Sequence, residues 1–191
     1  MVHADASNFA SGITKEEAYQ QVLDQAEGLF YEQRNWVCNL SNAAALLWHA
    51  YKSLPYPSNQ VNWAGFYTLD PKSLPEKPSL ILGPFQGKVA CQTISFSRGV
   101  CGAAAATGQT QLVHDVESFP GHIACDSESK SELVVPIIVE GKGAATATTA
   151  AGNGVVGIID VDCAVLNGFD EVDKLYLEKL AELIGKSSDW P

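Results

Sequence analysis

Val61-Asn62-Trp63-Ala64-Gly65-Phe66-Tyr67-Thr68-Leu69 is the stretch at which the pattern of this 191-residue chain changes. Side chains alternate along an extended backbone, so Trp63 and Tyr67 share one face with Gly65 between them, and Ala64 and Phe66 share the other. Before it the period is helical. Thr14-Lys15-Glu16-Glu17 has the form of a capping box, in which a threonine oxygen and a glutamate three residues on satisfy exposed amides reciprocally. Ala18, Val22, Ala26 and Leu29, flanked by Leu23 and Phe30, keep the helical period to about residue 31. A second helical pattern runs through Trp36, Leu40, Ala44, Leu47, Tyr51 and Leu54 and stops before Pro55 and Pro57.

After Leu69 the period of two recurs. Ser79 to Gln86, Ala90 to Phe96, Gln111 to Val116, Leu133 to Val139 and Val155 to Cys163 all read as strands. Cys101 to Thr107 reads as a short alanine-rich helical turn. A last helix starts near Asp170, places Val172, Leu175, Tyr176, Leu180, Leu183 and Ile184 on one face, and takes Gly185 as its C-cap. Six strands between helices predict an α+β fold, a largely antiparallel sheet with helices on at least one face. Residues 1–12 show no period and read as a flexible tail, leaving 13–191 as a single domain. Gly141 to Gly154, nearly all Gly, Ala and Thr, reads as a flexible hairpin loop.

Composition limits the function. With 46% hydrophobic and 18% charged residues the chain lies outside the disordered classes and can build a core without disulfides. Twelve Lys plus Arg against 22 Asp plus Glu give a net charge of −10, and no basic cluster supplies phosphate contacts, so neither nucleic acid nor an anionic membrane is an expected partner. The start Met1-Val2-His3-Ala4-Asp5 lacks a secretory pattern, and the longest apolar runs are too short to span a bilayer. The expected location is cytoplasmic. In a reducing compartment five cysteines are better read as free, redox-active or metal-binding than as a framework.

Cys38, inside the second helical pattern, reads as a buried structural thiol, and Cys163 reads as core. Cys91, Cys101 and Cys125 form the central group; each also fits a small buried residue. Arg98-Gly99-Val100-Cys101-Gly102 puts a thiol at a helix start beside a cation, and both features favour thiolate. Cys125 follows Pro120-Gly121-His122-Ile123-Ala124 on a polar loop near a histidine. No Cys-x₂₋₄-Cys spacing is present, so no metal is expected.

Asp160 and Asp162 fall on one face of their strand, about 6.7 Å apart along the chain. Either the strand emerges into solvent there, or the acids bind a cation or an ammonium group. Glu132 opens the apolar run Leu133 to Ile138; it is a charged strand end or a desolvated acid with a raised pKa, able to donate a proton. Trp63 and Tyr67 pack a core or, if their face also holds the acids and thiols, wall a pocket for a small zwitterion with a soft sulfur or methyl group.

Taken together, Trp63-Ala64-Gly65-Phe66-Tyr67, Gly83-Pro84-Phe85-Gln86-Gly87, Arg98-Gly99-Val100-Cys101-Gly102, Cys125-Asp126, Glu132-Leu133-Val134-Val135-Pro136 and Asp160-Val161-Asp162 resemble the free methionine-R-sulfoxide reductases, which are stand-alone GAF domains. The resemblance spans roughly residues 15–186. It implies a six-stranded antiparallel sheet with N- and C-terminal helices packed on one face, and a possible homodimer. It implies reduction of free L-methionine-(R)-sulfoxide by thiol chemistry, through a sulfenic acid and an intramolecular disulfide, with thioredoxin as external reductant and no bound cofactor. By resemblance Cys125 attacks the sulfoxide sulfur, Cys91 resolves the sulfenic acid and Cys101 assists or substitutes. Which of Cys101 and Cys125 attacks stays open, because the helix-start argument favours Cys101. Glu132, Asp160 and Asp162 would bind the substrate and supply acid chemistry, with Trp63 and Tyr67 enclosing its methyl end. Asn167-Gly168-Phe169-Asp170-Glu171 is also similar to the Asn-Lys-Phe-Asp-Glu segment of cyclic-nucleotide-binding GAF domains, with Gly168 in place of the lysine. A small-molecule-binding or redox-sensing GAF module without turnover is the alternative reading.

Overall fold

The computed structural model describes residues 4–96, 98–121, 127–144 and 153–190. The capping box forms as read. The Thr14 hydroxyl accepts from the Glu17 amide, Glu17 accepts from the Thr14 amide, and helix α1 runs Lys15–Phe30. Such a cap contributes about 1 kcal/mol. Asn35 caps helix α2, Trp36–Ser53, by accepting from the Cys38 amide. That places Cys38 in the exposed first turn, so the buried thiol expected there is corrected.

Six strands follow: β1 Val61–Leu69, β2 Ser79–Gly87, β3 Thr93–Ser95, β4 Gln111–Val113, β5 Ser131–Glu140 and β6 Asn153–Cys163. Helix α3, Gly99–Thr107, lies between β3 and β4, and helix α4, Glu171–Ser187, follows β6. All pairs are antiparallel in the order β3-β2-β1-β6-β5-β4, so the longest strands occupy the centre. The read strand at Gln111 to Val116 is shorter because Asp115 accepts from the Glu117 amide and turns Val116–Ser118 into a 3₁₀ turn. Gly185 is not a C-cap: α4 continues to Ser187, and Gly185 sits within it against Ile137 and Val139.

The period of two divides the sheet into faces. Ala64 and Phe66 of β1, Leu133, Val135 and Ile137 of β5, and Ile159, Val161 and Cys163 of β6 pack on α1, α2 and α4. The expectation of terminal helices on one face and a core Cys163 holds. A buried network ties those helices together: Tyr19 Oη donates to Asp173 Oδ1 at 2.8 Å and meets Tyr51 Oη at 2.5 Å, and Lys15 Nζ lies 2.7 Å from Asp173 Oδ2. On the other face Trp63 and Tyr67, Val134 and Ile158 pack on Val100, Cys101, Ala104 and Ala105 of α3.

The first twelve residues have a 3₁₀ turn at Ala4–Ser7, a Gln21 amide donating to the Asn8 carbonyl at 2.9 Å, and Phe9 packed on the core. In the Gly141 to Gly154 hairpin, Ala144 bridges Val155; residues 145–152 lie outside the described set. Asn167 to Glu171 is a structural corner. Asn167 adopts φ 55°, Asp170 caps α4, and a Cβ on Gly168 would lie 2.5 Å from Cys163 Sγ, so no lysine fits there.

Candidate active site

Strand register assembles the site from residues far apart in sequence. Trp63 of β1 pairs with Asp162 of β6, which pairs with Glu132 of β5. One row on, Gly65 pairs with Asp160, and Asp160 with Val134. Side chains two apart share a face, so Trp63, Tyr67, Glu132, Asp160 and Asp162 all project beneath α3. A bulge at Asn62, the extra residue between Val61 and Trp63, sets this register.

The aromatic wall has three rings. Trp63 stacks on Tyr67 with centroids 5.8 Å apart and on Phe85 of β2 at 5.2 Å. Gly65 makes this approach possible, since a Cβ there would lie 2.7 Å from Phe85 Cα and 2.8 Å from the Trp63 ring. Gly65→Ala is therefore expected to destabilise the fold by about 1–3 kcal/mol, through overpacking. Urea unfolding measures this, and an unchanged midpoint would mean that Phe85 is free to shift.

Glu132 and Asp160 are 7% and 5% exposed, and neither makes an ion pair among the described residues. Cys101 Sγ, a Glu132 oxygen and an Asp160 oxygen all lie within 4.8 Å of one another. The Cys101 thiol donates to Glu132 Oε1 at 3.4 Å, and Asp160 Oδ1 is buried without a hydrogen-bond partner among the described residues. Burial raises the pKa of Glu132 well above the carboxylate range, and the charges of Asp160 and Asp162 raise it further. Asp160 is raised by burial to about 7, with hydrogen bonds from Cys101 and Glu132 opposing the rise. Burial and mutual repulsion disfavour ionising both acids together, and Glu132, the more strongly raised, is the one held neutral through the neutral pH range.

Cys101 departs from its sequence reading. Burial lifts its pKa well above the ordinary thiol value, and Asp160, Glu132 and Asp162 add to the rise. Arg98 is exposed and the helix is short, so burial among three carboxylates outweighs both features that favoured thiolate. Cys91 is disulfide-bonded, whereas Cys38, Cys101 and Cys163 are free. Cys125 and His122 lie outside the described residues.

A small pocket of about 20 Å³ is lined by Trp63, Tyr67, Asp160 and Asp162, with Lys88, Val89 and Ala90 over it. The Trp63 indole N–H donates to the Lys88 carbonyl at 3.2 Å, and the Tyr67 hydroxyl donates to the Cys91 carbonyl at 3.1 Å. These contacts draw residues 88–91 away from the sheet, which is why the strand read from Ala90 begins only at Thr93.

The GAF domain family matches residues 16–187. Over 186 residues the chain is 55% identical to the free methionine-R-sulfoxide reductase of Saccharomyces cerevisiae, covering 97% of this chain and 93% of that protein. The chain belongs to the free methionine-R-sulfoxide reductase family. The Escherichia coli free methionine-R-sulfoxide reductase is 37% identical over 174 residues, covering 91% of this chain and 90% of that one. A structure of the free methionine-R-sulfoxide reductase from Neisseria meningitidis in complex with its substrate aligns with TM-score 0.76 at 39% identity, over 94% of this chain and 93% of that chain. In this free methionine-R-sulfoxide reductase family member the Phe85 ring backs the Trp63 wall, a contact that the sequence reading left out. Its signal was the Gly83-Pro84 pair before it: the extra β2 residue in the register between Gly65 and Tyr67 lies there. No helix among the described residues is long and apolar enough to cross a membrane.

Proposed function

We propose that this protein reduces free L-methionine-(R)-sulfoxide to L-methionine, with thioredoxin regenerating its thiols. The observation that carries the reading is a pair of buried, closely placed carboxyl groups against an aromatic wall, directly beneath a segment whose cysteine is in a disulfide. Cys125 attacks the sulfoxide sulfur as thiolate. Glu132, neutral, hydrogen-bonds the sulfoxide oxygen and supplies a proton as the S–O bond breaks, because that oxygen leaves poorly unless protonated. Oxygen passes from the substrate sulfur to Cys125, giving methionine and a sulfenic acid. The Cys91 thiol then displaces water from the sulfenic acid and forms the disulfide. A dithiol reductant restores both thiols and is itself oxidised.

The α-ammonium group of the substrate supplies what Asp160 Oδ1 lacks, and Asp162 stands beside it on the same strand face. A methionine residue within a chain has an amide in place of that ammonium, so the free amino acid is preferred. The methyl end rests on Trp63 and Tyr67.

Incubation with dithiothreitol and the separate diastereomers of free methionine sulfoxide, followed by chromatography, tests the reaction. Conversion of the R form alone is expected; conversion of neither by reduced, folded protein would overturn it. Asp160→Asn and Asp162→Asn are each expected to raise KM by the equivalent of about 1.5 to 3 kcal/mol, a charged hydrogen bond lost. Unchanged KM would place the ammonium elsewhere.

A further inference from the structure

The segment over the pocket is held in an unusual way. Val89, at its middle, is 90% exposed and does not anchor it, while Lys88 Nζ forms a solvent-exposed ion pair with Glu128 at 2.6 Å. The Lys88 and Cys91 carbonyls are instead held by the indole N–H of Trp63 and the hydroxyl of Tyr67, and the Gln92 carbonyl by the Leu82 amide. Two of these three donors belong to the rings that line the pocket below. With Cys91 in its disulfide, that pocket has about 20 Å³, room for roughly one water molecule. Methionine sulfoxide, with five heavy atoms in its side chain, does not enter such a space. Substrate at this pocket would require the segment to stand away from the position that these two hydrogen bonds give it in the disulfide state.

We propose that Tyr67 and Trp63 are positioning residues for Cys91: their polar hydrogens latch the Lys88 to Cys91 backbone in the oxidised protein, holding Cys91 at its disulfide and the pocket closed. Each ring then has two tasks in the cycle. In the reduced protein its face receives the methyl end of the substrate. In the oxidised protein its polar edge holds the segment that has replaced substrate. Burial keeps the Tyr67 hydroxyl protonated, so it serves as a donor across the working pH range.

The test is the thiol–disulfide equilibrium of Cys91 in dithiothreitol redox buffers, read by alkylation and mass spectrometry. In the exchange, Cys91 and its disulfide partner together take two electrons and two protons from dithiothreitol, which closes to its cyclic disulfide. Tyr67→Phe keeps the ring and its stacking and removes only the hydroxyl. Loss of one hydrogen bond made in a single redox state is expected to shift the equilibrium toward dithiol by about fivefold. Trp63→Phe, which removes the N–H to Lys88, is expected to shift it in the same direction. A purely structural loss, equal in both redox states, leaves the ratio unchanged, so an unaltered equilibrium in folded Tyr67→Phe and Trp63→Phe would overturn the proposal. The inference rests on the proposed function in taking this pocket as the substrate's and Cys91 as the resolving thiol. No methionine sulfoxide is present in the measurement, so a protein that turned nothing over would still answer it.

Discussion

Glu132→Gln is expected to lower turnover by about two to four orders of magnitude, the usual contribution of a positioned general acid, while making the fold more stable at pH 8. Both effects come from one cause. Glu132 and Asp160 are raised above their ordinary values chiefly by burial, so the folded protein binds their protons more tightly than the unfolded chain does. Stability from this pair is fully present below the unfolded carboxylate range. It is lost as pH rises through the folded values, which for Asp160 means up to about 7. At pH 8 the native site holds negative charge in an environment that solvates it poorly. Glutamine has nearly the same shape, cannot ionise, and still donates an N–H toward Asp160. The variant should gain about 1–3 kcal/mol at pH 8 and little at pH 4. Thermal unfolding from pH 4 to 8 checks this: the two curves should separate as pH rises. A variant less stable than wild type at pH 8 would mean that the pair is better solvated than its burial indicates.

Most of what depends on one segment was legible in the sequence, though Cys38 and Gly185 were misplaced within theirs, and periodicity alone did not reveal how separate strands meet. The capping box at Thr14 and the alternation in β1 are local, and both elements begin where the residues place them. Parity within a strand put Trp63 with Tyr67 and Asp160 with Asp162. The register that brings these pairs and Glu132 into one pocket depends on the Asn62 bulge, which no periodicity reveals. Cys101 shows the same limit. Its neighbours Arg98 and Gly99 announce a helix start, but the three acids that raise its pKa arrive from strands thirty or more residues later. Burial among distant like charges decides the ionisation state, and a local motif cannot report it. From Ala90 the pattern suited a strand, but the indole of Trp63 and the hydroxyl of Tyr67 hold the Lys88 and Cys91 carbonyls, and the strand begins only at Thr93.

Cys125→Ser is expected to abolish methionine formation with dithiothreitol, whereas Cys101→Ser should lose less than about tenfold. The attacking group must be a thiolate, and the surroundings of Cys101 oppose one. Cys101 is 8% exposed, its thiol donates to Glu132, and burial beside three carboxyl groups makes its surroundings hostile to a thiolate. Cys101 is better suited to orienting Glu132, a contribution of one weak hydrogen bond. The disulfide points the same way, since Cys101 is free while Cys91 is bonded. Cys91→Ser should then spare the first methionine formed per chain and impair recycling by thioredoxin more than recycling by dithiothreitol, because only thioredoxin requires a disulfide to exchange with. Single-turnover assays on pre-reduced protein, with the sulfenic acid trapped by a diketone reagent and located by peptide mass, separate these roles. The adduct is expected on Cys125 in Cys91→Ser. An adduct on Cys101, with turnover lost in Cys101→Ser and kept in Cys125→Ser, would exchange the two assignments and require that substrate binding itself remove the Cys101 proton.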